Sequence, residues 1–114
     1  SNGMRYYLYG HLFGSKCTLT GLGNIWPEVE IEFFKLLEEG NVKKATQMVV
    51  EIEAPYIEAT MSTGRYWSCL KAINEMIGLP GGPMRPPLLD CTEDQKKLLR
   101  SVCEKVGLIK REGI

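Results

Sequence analysis

Gly14-Ser15-Lys16-Cys17-Thr18-Leu19-Thr20-Gly21-Leu22-Gly23-Asn24-Ile25-Trp26-Pro27 is the stretch whose reading decides the fold. Cys17 to Thr20 is apolar or β-branched and lies between glycine turn signals, so a short strand is predicted over 16–22. No second convincing strand is found in the chain. One strand cannot satisfy its own backbone donors and acceptors, so it needs sheet neighbours that this sequence does not supply. Gly21-Leu22-Gly23-Asn24 then joins strand to helix. Such turns attract phosphate or carboxylate, because free amides and a helix dipole point there. This one lacks the G-x-G-x-x-G spacing, and its plain reading is a strand-to-helix turn of an α/β unit.

Working outward, helices dominate. Met4 to Phe13 reads as a helix of two to three turns that ends near Gly14. Pro27 suits a first helical turn, and Glu28 and Glu30 suit its positive end. Val29, Phe33, Leu36 and Leu37 follow at helical spacing up to Gly40. Asn41 is a plausible cap for a long helix in which Val42, Ala45, Val49, Ile52 and Tyr56 form an apolar stripe. Pro55 lies inside that helix and predicts a kink or break near Glu53. A third helix spans 65–77, with Trp67, Leu70, Ile73 and Ile77 on one face. The run from Leu79 to Leu89 holds Pro80, Gly81, Gly82, Pro83, Pro86 and Pro87, which leaves only an extended connector. Thr92-Glu93-Asp94-Gln95 is a capping box. It opens a final helix with Leu98, Leu99, Val102 and Val106 on its face and Gly107 at its end.

The composition narrows the function classes. The chain has 114 residues, 44% of them hydrophobic and 25% charged, the balance of one globular domain or a piece of a larger one. Basic and acidic residues number 14 each, so there is no strong basic field for nucleic acid or an acidic membrane. The apolar runs fall far short of the roughly 20 residues a membrane span needs, and no secretory signal opens the chain. Cys17, Cys69, Cys91 and Cys103 include no C-x-x-C pair, and free thiols in the cytoplasm are expected. A zinc site involving these cysteines and His11 has the wrong spacing, so no metal and no cofactor are expected. His11 lacks an acidic or cysteine partner one turn away and reads as a surface or interfacial residue. Tyr6, Tyr7 and Tyr9 read as packing residues more readily than as a base-stacking patch. Arg85, among prolines, is expected to anchor the connector by bonding carbonyls.

Taken in order, these motifs resemble the dihydrodipicolinate synthase / N-acetylneuraminate lyase family. Residues 14–27 resemble its eighth-strand segment, and Gly40-Asn41 with Ala45 its turn into the C-terminal helices. Lys71-Ala72, Glu75, Gly78-Leu79, Gly82 and Met84-Arg85-Pro86-Pro87-Leu88 resemble its K-A…G-L…G…R-x-P-L signature. The resemblance covers about 1–109. It implies a (β/α)8 barrel followed by three helices, and such a barrel takes about 250 residues. The expected fold is therefore mainly α with one or two short strands, the C-terminal fragment of a TIM barrel. Residues 1–40 would end the barrel, with a strand-seven remnant at Ser1-Asn2-Gly3. Residues 41–114 would form the appended helices.

The resemblance also implies chemistry. In the family a lysine forms a Schiff base with pyruvate or another 2-oxo acid, a tyrosine relays protons, and the imine serves as an electron sink. Those residues belong to strands six and five, which this chain lacks, so no catalytic residue is expected in it. Lys71 matches the helical K-A position instead. What carries over is the pocket rim: Leu19, Thr20 and Gly21 on strand eight, and Asn2 and Gly3 at the mouth of strand seven. The implied function is the C-terminal part of a 2-oxo acid-dependent aldolase or dehydratase, inactive alone. Its implied partners are pyruvate or another 2-oxo acid in the intact protein, and either further copies in a dimer or tetramer or the missing N-terminal barrel portion. Neither nucleic acid nor membrane is an expected partner. The alternatives are a stand-alone helical interaction module that uses its aromatic N-terminus and, third, a small metal-binding domain.

Overall fold

Residues 3–109, which a computed structural model describes, carry the α-helices α1 (Gly3–Leu12), α2 (Pro27–Glu38), α3 (Val42–Met48), α4 (Ala54–Ser62), α5 (Tyr66–Met76) and α6 (Glu93–Val106). A 3-10 turn at Leu22–Asn24 precedes α2, and a π-helical turn at Val49–Glu53 joins α3 to α4. The predicted helices are all present, with ends set by the expected residues. Pro27 opens α2, whose missing N–H costs nothing at that position. The Asn41 side chain accepts from Lys44 N–H at 3.2 Å at the start of α3. Thr92 and Gln95 close the capping box of α6, through bonds of 3.2 Å to Thr92 Oγ1 and 2.9 Å to Gln95 Oε1.

Two expectations change form. The strand predicted over 16–22 is reduced to an isolated β-bridge at Leu19, and no longer strand occurs among the described residues. The cause is the one the sequence implies: a ladder needs paired strands, and among the described residues Leu19 meets the start of α1, where Gly3 N–H donates to its carbonyl at 2.7 Å. The break expected near Glu53 is the π turn, in which Ala54 N–H donates to the Val49 carbonyl, five residues back. Pro55 brings no N–H to the helix, and the turn just before it widens rather than breaks.

The chain divides into two compact units, Ser1–Ala54 and Pro55–Ile114. In the first, Met4 and Tyr7 of α1, Val29, Phe33 and Leu37 of α2, and Ala45 and Val49 are buried together with Leu22 and Ile25. Tyr7 packs its ring 4.6 Å from that of Phe34 and donates its hydroxyl to the Ser15 carbonyl at 3.1 Å. Of the three neighbouring tyrosines only Tyr7 is a packing residue, for Tyr6 and Tyr9 are exposed along with Leu12 and Phe13.

In the second unit the core comprises Tyr56, Cys69, Leu70, Ile73, Leu99 and Cys103, with Ile109 closing the end. Trp67 and Leu98 were expected on the apolar faces but are exposed, as is Val42 in the first unit. Trp67 and Leu98 stand at the margin of a stripe, where a turn of about 100° per residue carries the side chain out of the buried sector, whereas Val42 shares the face of Ala45 and Val49 but is the first residue of α3.

The connector between α5 and α6 is clasped by polar groups. Lys71 Nζ donates to the Pro83 carbonyl at 2.9 Å, and Gly82 N–H to Glu75 Oε1 at 3.0 Å. Arg65 Nη1 donates to the Asp90 carbonyl at 2.7 Å, and Met84 N–H to Asp90 Oδ1 at 2.7 Å. The anchoring role expected of Arg85 is therefore filled by Arg65. Arg85 lies exposed, with no side-chain hydrogen bond found for it among the described residues. The difference is one of position: Arg65, just before α5, faces the returning chain, whereas Arg85 is exposed at the start of the turn that its carbonyl closes with Leu88 N–H. Gly81 passes so close to α5 that a Cβ there would lie 2.2 Å from the Lys71 carbonyl oxygen. Backbone cannot yield to such a contact, so Gly81→Ala is expected to destabilise the chain by about 1–3 kcal/mol. A urea unfolding midpoint equal to that of the parent chain would contradict this close approach.

Candidate functional site

Leu19 is the β-bridge residue, Thr20 and Gly21 follow it directly, and the 2.7 Å bond from Gly3 N–H to the Leu19 carbonyl brings Gly3 against them. Thr18 Oγ1 also reaches the Gly3 carbonyl, at 3.4 Å. Four of the five expected rim residues thus form one continuous patch of backbone. The fifth, Asn2, lies outside the described residues. Leu19 projects into solvent, while Thr20 and Gly21 are half-buried.

Two buried carboxylates hold this patch. Glu53, from the π turn, lies under the first turn of α1 and accepts from Met4 N–H at 2.5 Å and Arg5 N–H at 3.0 Å. Helix-start amides have no intrahelical acceptor, and the positive end of the dipole favours an anion there. A Cβ on Gly3 would stand 3.2 Å from Glu53 Oε2, so the smallest residue lets the carboxylate approach. The second, Glu30, is in the first turn of α2. Its Oε1 accepts from Thr20 Oγ1 at 2.5 Å, and Thr20 Oγ1 in turn accepts from Gly23 N–H at 3.2 Å. Asn24 Nδ2 donates to the Thr20 carbonyl at 3.3 Å.

The turn amide at Gly23, read from the sequence as a place where an anion could bind, is therefore already taken by Thr20. A Cβ at Gly23 would come within 2.6 Å of Thr20 Cγ2, which ties the glycine to this arrangement. Reading the sequence gave Glu30 the task of complementing the α2 dipole and missed its bond to Thr20. It also missed Glu53 altogether, except as the place where a helix would bend. The signal available was an acidic residue placed among apolar helix positions in each case.

The electrostatics follow from the packing. Burial pushes the Glu30 carboxyl above its ordinary range, the Thr20 hydroxyl pulls it back, and the charge on Glu53 raises it again. Elsewhere in this unit Leu8, Tyr9, His11, Leu12, Leu37, Val42 and Thr46 line a small apolar groove of about 110 Å³. None of the rim residues lines that groove. His11 lies there with its ring centroid 5.9 Å from that of Tyr7. No group of three or more His, Cys, Asp or Glu side chains suited to a metal is found among the described residues, and none of their helices is long and apolar enough to cross a membrane.

These contacts give two expectations for stability. Removing the cap by Glu53→Ala should cost about 2–3 kcal/mol, since hydrogen bonds to charged groups contribute about 1.5–3 kcal/mol. Chemical denaturation measures it, and a loss below about 0.5 kcal/mol would deny Glu53 its role. The second concerns pH. Because Glu30 is raised in the folded state, the folded chain holds more protons than the unfolded chain just above the ordinary carboxyl range. Stability should fall as pH rises from there through the folded-state pKa, and then level off. Glu30→Gln keeps an acceptor for Thr20 and cannot ionise, so that fall should vanish in a pH series of urea midpoints. A variant profile that matches the parent's would show that another group causes it.

Comparison with known proteins completes the picture. The sequence model of the Dihydrodipicolinate synthetase family matches residues 6–106. The 4-hydroxy-tetrahydrodipicolinate synthase of Methanopyrus kandleri is 31% identical over 90 residues, 79% of this chain and 29% of that protein. Its counterpart from Methanocaldococcus jannaschii is 30% identical over 96 residues, 84% of this chain and 32% of that protein. A probable 5-dehydro-4-deoxyglucarate dehydratase of Acidovorax ebreus is 26% identical over 84 residues, 73% of this chain and 28% of that protein. The crystal structure of a dihydrodipicolinate synthase (dapA) superposes with a TM-score of 0.77 at 27% identity, covering 96% of this chain and 37% of that one. The chain thus spans less than a third of the curated relatives, and its fold is that of a fragment of a TIM-barrel enzyme. Family match, helix order and superposition agree: this chain belongs to the dihydrodipicolinate synthetase family of lyases.

Proposed function

We propose that the chain is the C-terminal part of a 2-oxo acid-dependent Schiff-base lyase, and that it supplies one side of the pocket rim but not the reactive amine. The observation that carries this reading is the fixed patch of Gly3, Leu19, Thr20 and Gly21, held by Glu53 and Glu30 at the positions where the family resemblance puts the mouth of strands seven and eight. Asn2 completes the rim in this proposal. Residues 1–40 end the barrel and 41–114 form the helices appended to it.

Lys71 is not the Schiff-base lysine, because its ammonium is committed to the Pro83 carbonyl in the connector clasp. The lysine that condenses with the 2-oxo acid, and the tyrosine that moves its protons, lie in the portion of the barrel outside this sequence. Pyruvate or a related 2-oxo acid is the ligand of the completed pocket, and the cytoplasm its setting. Gly21 offers no side chain to a second substrate, so both aldol chemistry and dehydration fit the rim. The exposed Leu19 of the rim also calls for association, with further copies or with the N-terminal barrel portion.

Borohydride reduction in the presence of pyruvate tests the assignment. The 114-residue chain should show no covalent adduct by intact mass, while a polypeptide that adds the upstream barrel strands should be trapped. A stable adduct on the 114-residue chain would overturn the reading. Analytical ultracentrifugation separates it from a stand-alone interaction module. Exposed Tyr6, Tyr9, Leu12, Phe13 and Leu19 should drive self-association here, whereas a monomer that melts cooperatively would favour the module.

A further inference from the structure

We propose that Cys69 and Cys91 form a latent disulfide that, under a thiol oxidant, fastens the end of the α5–α6 connector to the first turn of α5. The two Sγ atoms lie 3.8 Å apart, against about 2.05 Å in a formed bond, so closure asks for less than about 2 Å of movement. The chain is already held in register at this point. The Ser68 hydroxyl donates to the Leu89 carbonyl, and Arg65 Nη1 to the Asp90 carbonyl at 2.7 Å, so the residues flanking both cysteines are tied before any bond forms. Cys69 Sγ also lies 3.1 Å from Thr63 Oγ1, which holds its side chain in place. Cys91 directly precedes Thr92, the cap of α6. The bond would therefore close a loop between residues 22 apart in sequence and bind the starts of both helices together.

The chemistry balances with a small disulfide such as oxidised glutathione. Cys91, the slightly more accessible of the two, loses its proton, and its sulfur attacks one glutathione sulfur. That S–S bond breaks, and one glutathione leaves as the thiolate. Deprotonated Cys69 then attacks the Cys91 sulfur and expels the second glutathione. Two protons and two electrons end on two reduced glutathiones. Burial pushes the Cys91 thiol up to about 11, with Cys69 adding to it and Arg65 and Lys96 opposing it, so Cys91 rests in the thiol form until oxidant reaches an opened connector. This inference is independent of the lyase reading.

The test treats the folded Cys17→Ser chain with oxidised glutathione, blocks remaining thiols by alkylation, and maps peptides without reduction. A peptide linking Cys69 to Cys91 is expected, together with a melting temperature raised on the order of 10 °C and restored by a dithiol reductant. Cys91→Ser should abolish both changes. Should that variant fail to fold, the peptide map of the Cys17→Ser chain still decides. A bridge to Cys103 instead, both cysteines recovered alkylated, or a melting temperature unchanged or lowered by oxidation would each overturn the proposal.

Discussion

The carboxylate of Glu53 beneath the first turn of α1 governs the N-terminal unit. Its bonds to Met4 and Arg5 fix where α1 begins. With that start fixed, Gly3 N–H reaches the Leu19 carbonyl, and the segment that would be a barrel strand lies across the helix start. Thr20 then falls within reach of Glu30, and through its own hydroxyl holds the Gly23 amide that begins the approach to α2. The opposing tendency is the repulsion between two buried carboxylates. Burial raises the Glu30 carboxyl, the Thr20 hydroxyl opposes that rise, and the charge on Glu53 adds to it.

The second unit is organised on a different principle. Its connector is rich in proline and glycine and makes few backbone bonds of its own. Order comes from side chains on α5 and just before it. Lys71, Glu75, Ser68 and Arg65 each take one point of the returning chain. Lys71, Ala72 and Glu75 belong to the stretch whose spacing resembles the family signature. Two of these three residues clasp the connector, which gives the spacing a structural reason: Lys71 and Glu75 stand one turn apart on α5 and meet Pro83 and Gly82 along the same edge.

Much of this was legible in the sequence because it is local. Pro27, Asn41 and the Thr92–Gln95 box act within three or four residues, so their chemistry can be read from spacing alone. Ordered motifs likewise sufficed for the family and the fold class. Long-range pairing was not legible. Glu53 lies 49 residues from Met4, and nothing at either position announces the other. Glu30 occupies a place where an acid complements a helix dipole, and only the position of Thr20 turns it inward. Arg65 and Arg85 offered the same fork of donors, and the path of the connector chose between them. The strand over 16–22 carries the right composition, but a strand is a property of pairs. With one bridge available, it stays a bridge.

The π turn at Val49–Glu53 has a consequence for which insertions and deletions this chain can tolerate. One surplus residue is accommodated within it. Deleting a single residue ahead of Glu53 would rotate its carboxylate by about 100° if the winding stayed as it is, but relaxation of the wide turn to ordinary 3.6-residue winding takes up that loss. The wide turn thus gives the N-terminal unit slack for one lost residue, whereas a deletion in a regular helix would swing the anchoring carboxylate aside.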